Sequence, residues 1–403
     1  MKILFVSQYF YPEVFKGNDI VFDFVKRGHE VTVLTGKPNY PTGVFFPGYT
    51  FFNKKNETIN GAKIIRVPVY PRKNGKGFHL VINYLSFVFF SYLACFFRVN
   101  EKYDVIIIQQ LSPVTMALPG IWLKKKNRAP VYLWVLDLWP ESILAASSFK
   151  NKVVINLIDK LVKYIYNSSD VILISSKNFR DSILRKLNDK NKEIIYFPNW
   201  AEDIFSTPTK NNNLDLSLPK GFNIMFAGNV GEAQDFETIL KAAELTKYEQ
   251  INWLILGDGR KLEWIKREVI NKNINNVILL GRFEIEKMPY FFKEADVMLV
   301  TLKDQPVFGL TVPAKIQAYM ASGKIILGAL NGEGNLIVNE SKCGFVVNSG
   351  NFLSLANYAI KIKHLSNNEK MQMEKNALNY YHENFEKTTL FEMLENRLNN
   401  NVQ

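Results

Sequence analysis

At 403 residues the chain is longer than one ordinary hydrophobic core requires, so two domains are expected. With 47% apolar and 22% charged residues it has the composition of a globular protein, which excludes a disordered or fibrous chain. The formal charge of +12 is uneven: residues 1–200 hold 28 Lys and Arg against 14 Asp and Glu, a surplus of +14, whereas residues 201–403 hold 22 against 24.

A positive charge confined to one half points to a polyanionic partner, either nucleic acid or an anionic membrane face. No nucleic-acid-binding module accompanies it, so no nucleic-acid partner is expected. The plain alternative is a solvated, lysine-rich surface. Cys95 and Cys343 lie far apart in apolar surroundings, with neither a disulfide framework nor metal-ligand spacing, which fits a reducing, cytoplasmic location. The opening MKILFVSQYF has no small-residue cleavage site and reads as a first strand, not as a signal peptide.

In chain order, short apolar runs of strand length alternate with longer amphipathic stretches, the pattern of parallel α/β architecture. Strands are expected at Lys2–Ser7, Glu30–Thr35, Ala62–Val69, Val105–Gln109, Val131–Leu136, Val171–Ser175 and Ile194–Phe197. A polar stretch from Ser206 to Lys220, with an Asn triplet at Asn211–Asn213, separates these from a second series. That series comprises Asn223–Ala227, Asn252–Leu256, Val277–Leu280, Val297–Thr301, Ile325–Ala329 and Gly344–Val347. Two doubly wound units follow, over residues 1–200 and 201–380, with 381–403 as a helix returning to the first. Ligands of such sheets bind at the carboxyl ends of the strands, facing a cleft.

The most apolar window is Gly77–Phe97, flanked by Arg72, Lys73 and Lys76 on one side and Arg98 on the other. At about 20 residues it is nearly long enough to span a bilayer. Asn83 and His79 would sit badly in lipid. A buried helix, an interfacial helix lying in one leaflet and a true span are all compatible with it, and an interfacial helix on a basic domain supplies the two signals that peripheral attachment needs.

Three strands of the second series run into glycine turns: Gly228-Asn229-Val230-Gly231, Gly257-Asp258-Gly259-Arg260 and Gly281-Arg282-Phe283. Glycine lets a backbone approach a phosphate, and a helix N-terminus behind the turn attracts negative charge. One such turn is weak evidence, because it serves equally as a tight turn and lacks a full GxGxxG pattern. Three, two of them with an Arg, suit a pyrophosphate. Phe308 to Lys324 reads as a loop entering a helix that closes at Gly323, with the amides of Leu310, Thr311 and Val312 at the helix start and Lys315 in its first turn. A solvated lysine is the ordinary alternative.

The succession GNVGEAQD, LGDGR, LGRF, ADVMLVTL and VPAKIQAYMASGK resembles retaining glycosyltransferase family four, of GT-B fold. KILFVSQYFYP, RGHEVTVLTG, PNYP (Pro38 to Pro41), DLWPES (Asp137 to Ser142) and PNW (Pro198 to Trp200) agree with it. Together they are similar to the branch of bacterial N-acetyl-L-fucosamine transferases of O-antigen and capsule assembly, over nearly the whole chain. The resemblance implies two Rossmann-like domains, a UDP-sugar donor bound by the second and an undecaprenyl-pyrophosphate-linked saccharide acceptor approached by the first. It further implies a protein peripherally attached to the cytoplasmic face of the inner membrane.

There are departures. The two glutamates, with seven residues between them, that many members carry fall here at Leu310 and Ala318, and neither is carried over; Glu333 is a candidate for a nearby polar role. Leu136 stands where a His usually precedes the first-domain Asp. Lys16-Gly17-Asn18-Asp19 replaces the usual Gly-Gly, so Asn18 and Asp19 are expected to face the cleft, with Asn39, Tyr40 and Glu141 as further acceptor-side candidates.

The expected chemistry is transfer with retention, with no metal or other cofactor, since no Asp-x-Asp motif is present. Charge on the departing UDP would be met by the amides near Leu310 to Val312, by Lys315 and by Arg260 or Arg282. Asp137 is the candidate for orienting or deprotonating the acceptor hydroxyl, against a capping role before Pro140. A UDP-sugar 2-epimerase and an inactive GT-B scaffold share the architecture. A nicotinamide-dependent oxidoreductase is disfavoured, because the first strand leads into Gln8-Tyr9-Phe10-Tyr11-Pro12 and not a Gly-rich turn.

Overall fold

The computed structural model describes residues 1–73, 77–146, 151–206 and 218–402. Lys76 and the Asn triplet of the expected linker lie outside the described residues. The chain forms two compact units: Met1–Phe197 with Phe391–Gln403, and Pro198–Leu390.

The first unit carries β1 (Lys2–Val6), β2 (Glu30–Gly36), β3 (Asn56–Ile59), β4 (Ala62–Val67), β5 (Val105–Gln110), β6 (Val131–Val135), β7 (Val171–Ile174) and β8 (Glu193–Tyr196). They form one sheet in the order β3-β4-β2-β1-β5-β6-β7-β8, parallel except for the β3–β4 pair. The second unit carries β9 (Phe222–Ala227), β10 (Ile251–Leu256), β11 (Val277–Gly281), β12 (Val297–Thr301), β13 (Ile325–Ala329) and β14 (Gly344–Val347), all parallel, in the order β11-β10-β9-β12-β13-β14. That order is the doubly wound Rossmann arrangement, so the expected fold class is the observed one. The central strands are buried on both faces, which is why they read as nearly continuous aliphatic and aromatic runs.

Helices fill both faces. In the first unit they are α1 (Lys16–Lys26), α2 (Gly77–Phe97), α3 (Leu118–Asn127), α4 (Glu141–Ala146), α5 (Lys152–Ser168) and α6 (Phe179–Lys186). The second unit adds α7 (Asp203–Ser206), α8 (Phe236–Leu245), α9 (Leu262–Asn271), α10 (Met288–Glu294), α11 (Pro306–Leu310), α12 (Ala314–Ala321), α13 (Glu333–Ser341), α14 (Phe352–His364) and α15 (Asn367–Asn384). The tail expected as one helix from 381 is instead the end of α15 followed by α16 (Lys387–Val402). α15 starts at a reciprocal cap, in which Ser366 Oγ accepts from the Glu369 amide and the Glu369 carboxylate accepts from the Ser366 amide.

From Phe391 onward α16 belongs to the first unit. Phe391, Leu394 and Leu398 are buried there, and Glu395 accepts from Arg27 Nη1 at 2.9 Å and pairs with His29 Nε2 at 2.8 Å. Strand β3 was not anticipated, because Asn56-Glu57-Thr58-Ile59 carries no apolar run. The signal for it is Asn60-Gly61, whose φ values of 47° and 85° make the tight turn of the β3–β4 hairpin.

Arg66 on β4 is wholly buried and ties this edge together. Its guanidinium donates to the Glu57 carboxylate, to the Gly36 carbonyl at 3.3 Å and to the Tyr11 carbonyl at 2.5 Å. Arg66→Ala would leave a partly buried carboxylate and the Gly36 and Tyr11 carbonyls without the guanidinium, and a loss of about 2–4 kcal/mol is expected by urea denaturation; a loss under about 1 kcal/mol would show that water replaces the guanidinium.

Candidate functional site

The carboxyl edge of the second sheet is built around contact between two backbones. Gly228 N–H donates to the Leu256 carbonyl at 2.8 Å, Val230 N–H to the Asp258 carbonyl at 2.8 Å, and Gly257 N–H to the Gly281 carbonyl at 2.7 Å. A β-carbon at Gly257, where φ is 146°, would fall 1.8 Å from the Gly228 oxygen, and one at Gly259 would fall 2.3 Å from the Val230 oxygen. Both glycines are thus required by turn-on-turn packing, whatever else they contact. Gly228 and Asn229 remain exposed at the end of β9.

Helix α12 is pinned to that strand end by Tyr319, whose buried hydroxyl accepts from the Ala227 amide at 3.2 Å and donates to the Ala227 carbonyl at 3.3 Å. One turn earlier, the Lys315 side chain therefore lies across Gly228, where an added β-carbon would be 2.8 Å from its Cε. Its Nζ sits 3.7 Å from the centre of the Phe226 ring. Burial lowers the ammonium to about 7, and no carboxylate among the described residues pairs with it. A half-buried cation held on an aromatic face, at the start of a helix, is a counter-charge for an anion.

Thr311 is extended and leads through Val312 to Pro313, which stands at the cap position of α12. Leu310 is not with them, which corrects the expectation for it: it ends α11, because Pro306 starts a separate turn of helix. Ala318, at the other position where a glutamate was sought, is buried. Glu333 opens α13 and is also buried. Gly334 beside it sits against Pro313 and Ile316, since a β-carbon there would meet both within 3.2 Å. The starts of α12 and α13 therefore adjoin, and Glu333 is brought to the neighbourhood of Lys315. Arg260 and Arg282 are exposed at the ends of β10 and β11, and Phe283 lies on Phe291 at 4.6 Å. The structure places all three on the ligand edge without drawing them to Lys315.

In the first unit Asp137 follows β6. One carboxylate oxygen accepts from Ser112 Oγ and the other from Ser142 Oγ, while Trp139 Nε1 donates to Ser112 Oγ at 2.9 Å and Gln110 Nε2 to the Asp137 carbonyl at 2.8 Å. The carboxylate is fixed in position by this network. Ser112, Ser142 and Trp139 were not singled out in sequence; the signal for Ser112 is its place directly after β5.

Several acceptor-side candidates are structural. Asn18 is buried, accepting from the Tyr11 amide at 3.1 Å and donating to the Glu13 carbonyl at 2.7 Å, so it shapes the β1–α1 loop and does not face outward. Asp19 lies half-buried in the first turn of α1, where a negative charge suits the helix dipole. Asn39 is buried, donating to the Lys37 carbonyl at 2.9 Å and accepting from the Arg72 amide at 3.1 Å. Glu141 takes Ser182 Oγ and Lys186 Nζ, each at 2.6 Å, and so clamps α4 to α6. Tyr40 is partly exposed, packed on Tyr9 and Phe15 with the Arg72 guanidinium 4.9 Å above its ring.

Glu13, not anticipated, is buried and accepts from the amides of Asn39 at 2.8 Å, Tyr40 at 2.7 Å and Phe10 at 3.3 Å. Burial raises it to about 7 against those hydrogen bonds. Cys95 and Cys343 are free and buried, which pushes their thiols up to about 12 and about 11.

Residues 215–380 match the model of the family "Glycosyl transferases group 1", and residues 20–200 match "Glycosyl transferase 4-like domain". A probable glycosyltransferase, WbjE, of Pseudomonas aeruginosa is 29% identical over 53% of this chain; the match spans 56% of that relative, little more than half its length. A putative colanic acid biosynthesis glycosyl transferase, WcaI, of Escherichia coli is 25% identical over 80% of this chain and 82% of its own. Among solved structures, sucrose-phosphate synthase from Thermosynechococcus elongatus superimposes with a TM-score of 0.75 at 15% identity, covering 99% and 98% of the two chains. Anabaena HepE in complex with UDP gives 0.70 at 15% identity over 99% and 100%. At those identities the structures establish the fold.

The Lys315 ammonium is charged below about pH 7 and neutral above it, and only the charged form attracts an oxyanion. Affinity for inorganic pyrophosphate should therefore fall between pH 7 and pH 9, approaching tenfold per unit, with Lys315→Arg flattening the profile. Titration calorimetry would show this, and an unchanged affinity across the range would remove Lys315 as the counter-charge.

Proposed function

The chain is a glycosyltransferase of the group 1, GT-B family, and from that premise we propose that it acts in polysaccharide biosynthesis, moving a sugar from a UDP-sugar to a lipid-linked saccharide. Within that reading the donor sugar is N-acetylated, N-acetyl-L-fucosamine by the resemblance of its motifs. The acceptor is an undecaprenyl-pyrophosphate-linked saccharide of O-antigen or capsule assembly. Transfer proceeds with retention and without a metal, at the cytoplasmic face of the inner membrane.

The observation that carries the donor side is Lys315, an ammonium without a carboxylate partner among the described residues, held over Gly228. As the bond from the anomeric carbon to the β-phosphate breaks, negative charge grows on the departing UDP. Lys315, the amides of Thr311 and Val312 and the start of α12 meet that charge with donors already in place, so little reorganisation is needed at the moment of reaction. Such groups raise turnover only so far as they hold the transition state better than the bound donor. The relatives agree in kind: WcaI is named for colanic acid biosynthesis, and HepE is described with UDP and with UDP-glucose.

On the acceptor side, Asp137 is held by Ser112 and Ser142 and keeps lone pairs for a sugar hydroxyl. We assign it to orienting that hydroxyl. With no glutamate at 310 or 318, recognition of the ribose and the donor sugar falls to other groups, and Glu333, at the start of α13 beside α12, is the candidate carboxylate.

Radiolabelled UDP-N-acetyl-L-fucosamine and UDP-N-acetylglucosamine, each with undecaprenyl-pyrophosphate-linked N-acetylated sugar, would test this. Label passing to the lipid fraction is the expected result. Release of an isomerised UDP-sugar, or no turnover with any UDP-sugar, would overturn it. Lys315→Ala should lower kcat by roughly two to three decades, the range for one electrostatic donor, and activity above half of wild type would exclude the assignment.

A further inference from the structure

Helix α2 has its polarity turned inside out. The side chains it buries in the first unit are Asn83, Phe87, Ser91, Ala94 and Cys95, so its amide and one of its hydroxyls face the protein. Asn83 Nδ2 donates to the Tyr70 carbonyl at 2.6 Å and its Oδ1 accepts from Gln8 Nε2 at 2.7 Å. Ser86 Oγ accepts from the Tyr70 amide at 2.8 Å, and His79 Nδ1 lies 3.1 Å from the Tyr70 hydroxyl. The opposite face presents Phe78, Val81, Leu85, Phe89, Leu93 and Phe97, with exposures from 41% to 76%. Their spacing of three and four residues draws one stripe along the helix. At 1.5 Å per residue, 21 residues carry that stripe for about 31 Å.

The ends of the stripe are basic. Lys73 is exposed just before the helix, whereas Arg72 is stacked on Tyr40 and Arg98, just after the helix, is held by the Arg66 and Lys55 carbonyls. At the same end Phe96 packs on Trp122 of α3 at 4.6 Å, and α3 closes with Lys124, Lys125 and Lys126. The α2 sequence itself contains no acidic residue. A contiguous apolar face of this length, rimmed by lysine and arginine, matches an anionic lipid leaflet in both polarity and charge. A protein partner of the same shape would need to be acidic around an apolar groove, and a second copy of this chain would bring like charges together.

We propose that α2 is the membrane-docking element of this protein: it lies in the plane of one anionic leaflet, with its aromatic and aliphatic stripe at the acyl boundary and the exposed Lys73 and Lys125 on the headgroups. The helix is long and apolar enough to cross a bilayer by length and composition. Its inner face is nevertheless committed to the domain through Asn83, so it docks and does not span. Because Asn83 is bonded to Gln8, at the carboxyl end of β1, docking sets the ligand end of the first sheet next to the leaflet. This deepens the reading of a lipid-linked acceptor, and docking itself is independent of which acceptor is used.

The test uses the full chain with vesicles of phosphatidylcholine alone or with 30% phosphatidylglycerol, a fraction chosen as roughly that of an anionic bilayer surface. Co-sedimentation is expected with the anionic vesicles at low salt, weakening at high salt. Phe89→Glu with Leu85→Glu should reduce vesicle affinity at least tenfold while leaving the thermal midpoint and UDP affinity unchanged; Lys125→Glu, which keeps the stripe, should reduce it less. Equal sedimentation of the double variant and wild type would overturn the proposal. So would resistance of wild type to alkaline carbonate extraction, which marks a span. A dimer that the double variant dissociates, with vesicle binding unaltered, would assign the stripe to a second copy instead. Vesicle binding that survives while label fails to reach the lipid-linked acceptor would refute the acceptor reading and leave the docking surface standing.

Discussion

The contact between the turns after β9 and β10 is the constraint on which the ligand edge of the second unit depends. Two backbones meet so closely that neither Gly257 nor Gly259 tolerates a β-carbon, and Gly228 in turn leaves room for the Lys315 stem. Tyr319 then sets the height of α12 on the same strand. A side chain at position 228 would push the lysine off the Phe226 ring, and a shift of α12 would move both the ammonium and the open amides before it. The proposed anion site would therefore be a consequence of glycine packing as much as of positive charge, with close backbone approach made by the turns after β9 and β10.

The first unit treats charge differently. Arg66 and Lys37 are both buried and both fully occupied, Lys37 by the carbonyls of Asn53 and Lys54, and burial lowers its ammonium to about 8. Glu13 is likewise saturated with backbone donors. These groups hold loops at the ends of β1, β2 and β4 and offer little to a ligand. Lys315 has an aromatic ring beneath it and no carboxylate partner among the described residues, and that is the basis for proposing it, and not Arg66 or Lys37, as a binding ion.

That difference is also what limits the reading of residues from sequence. The strand series was legible because central parallel strands are buried on both faces and so are apolar without interruption, and the restart after Lys220 marked the second unit. β3 escaped because an edge strand with one wet face carries no such run. Lys315 and the glycine turns were legible because helix starts and turn residues are local signals. Asn18, expected to face the cleft, and Asn39 and Glu141, acceptor-side candidates, are tied into the fold: Asn18 and Asn39 partly by neighbours in their own loops, Glu13 and Lys37, and Asn39 and Glu141 by the distant Arg72 and Lys186, which no local pattern announces. Leu310 was placed at a helix start because the α11 turn is only five residues long, too short to show a period.

Helix α2 shows the same limit from the other side. Its composition alone allowed a buried helix, an interfacial helix or a span, because apolar residues occupy nearly every position and the sequence period is weak. In the fold, Asn83 and Ser86 fasten the helix to Gln8 and Tyr70 and Phe87 packs inside, while six large apolar side chains are left outside. Fully burying one such side chain is worth roughly 1.5–3 kcal/mol, so six of them in water forgo a stabilisation comparable with the whole net stability of a typical domain. Covering the stripe with an apolar phase would recover that stabilisation, and under the docking proposal a leaflet supplies one without requiring the helix to give up the hydrogen bonds of Asn83.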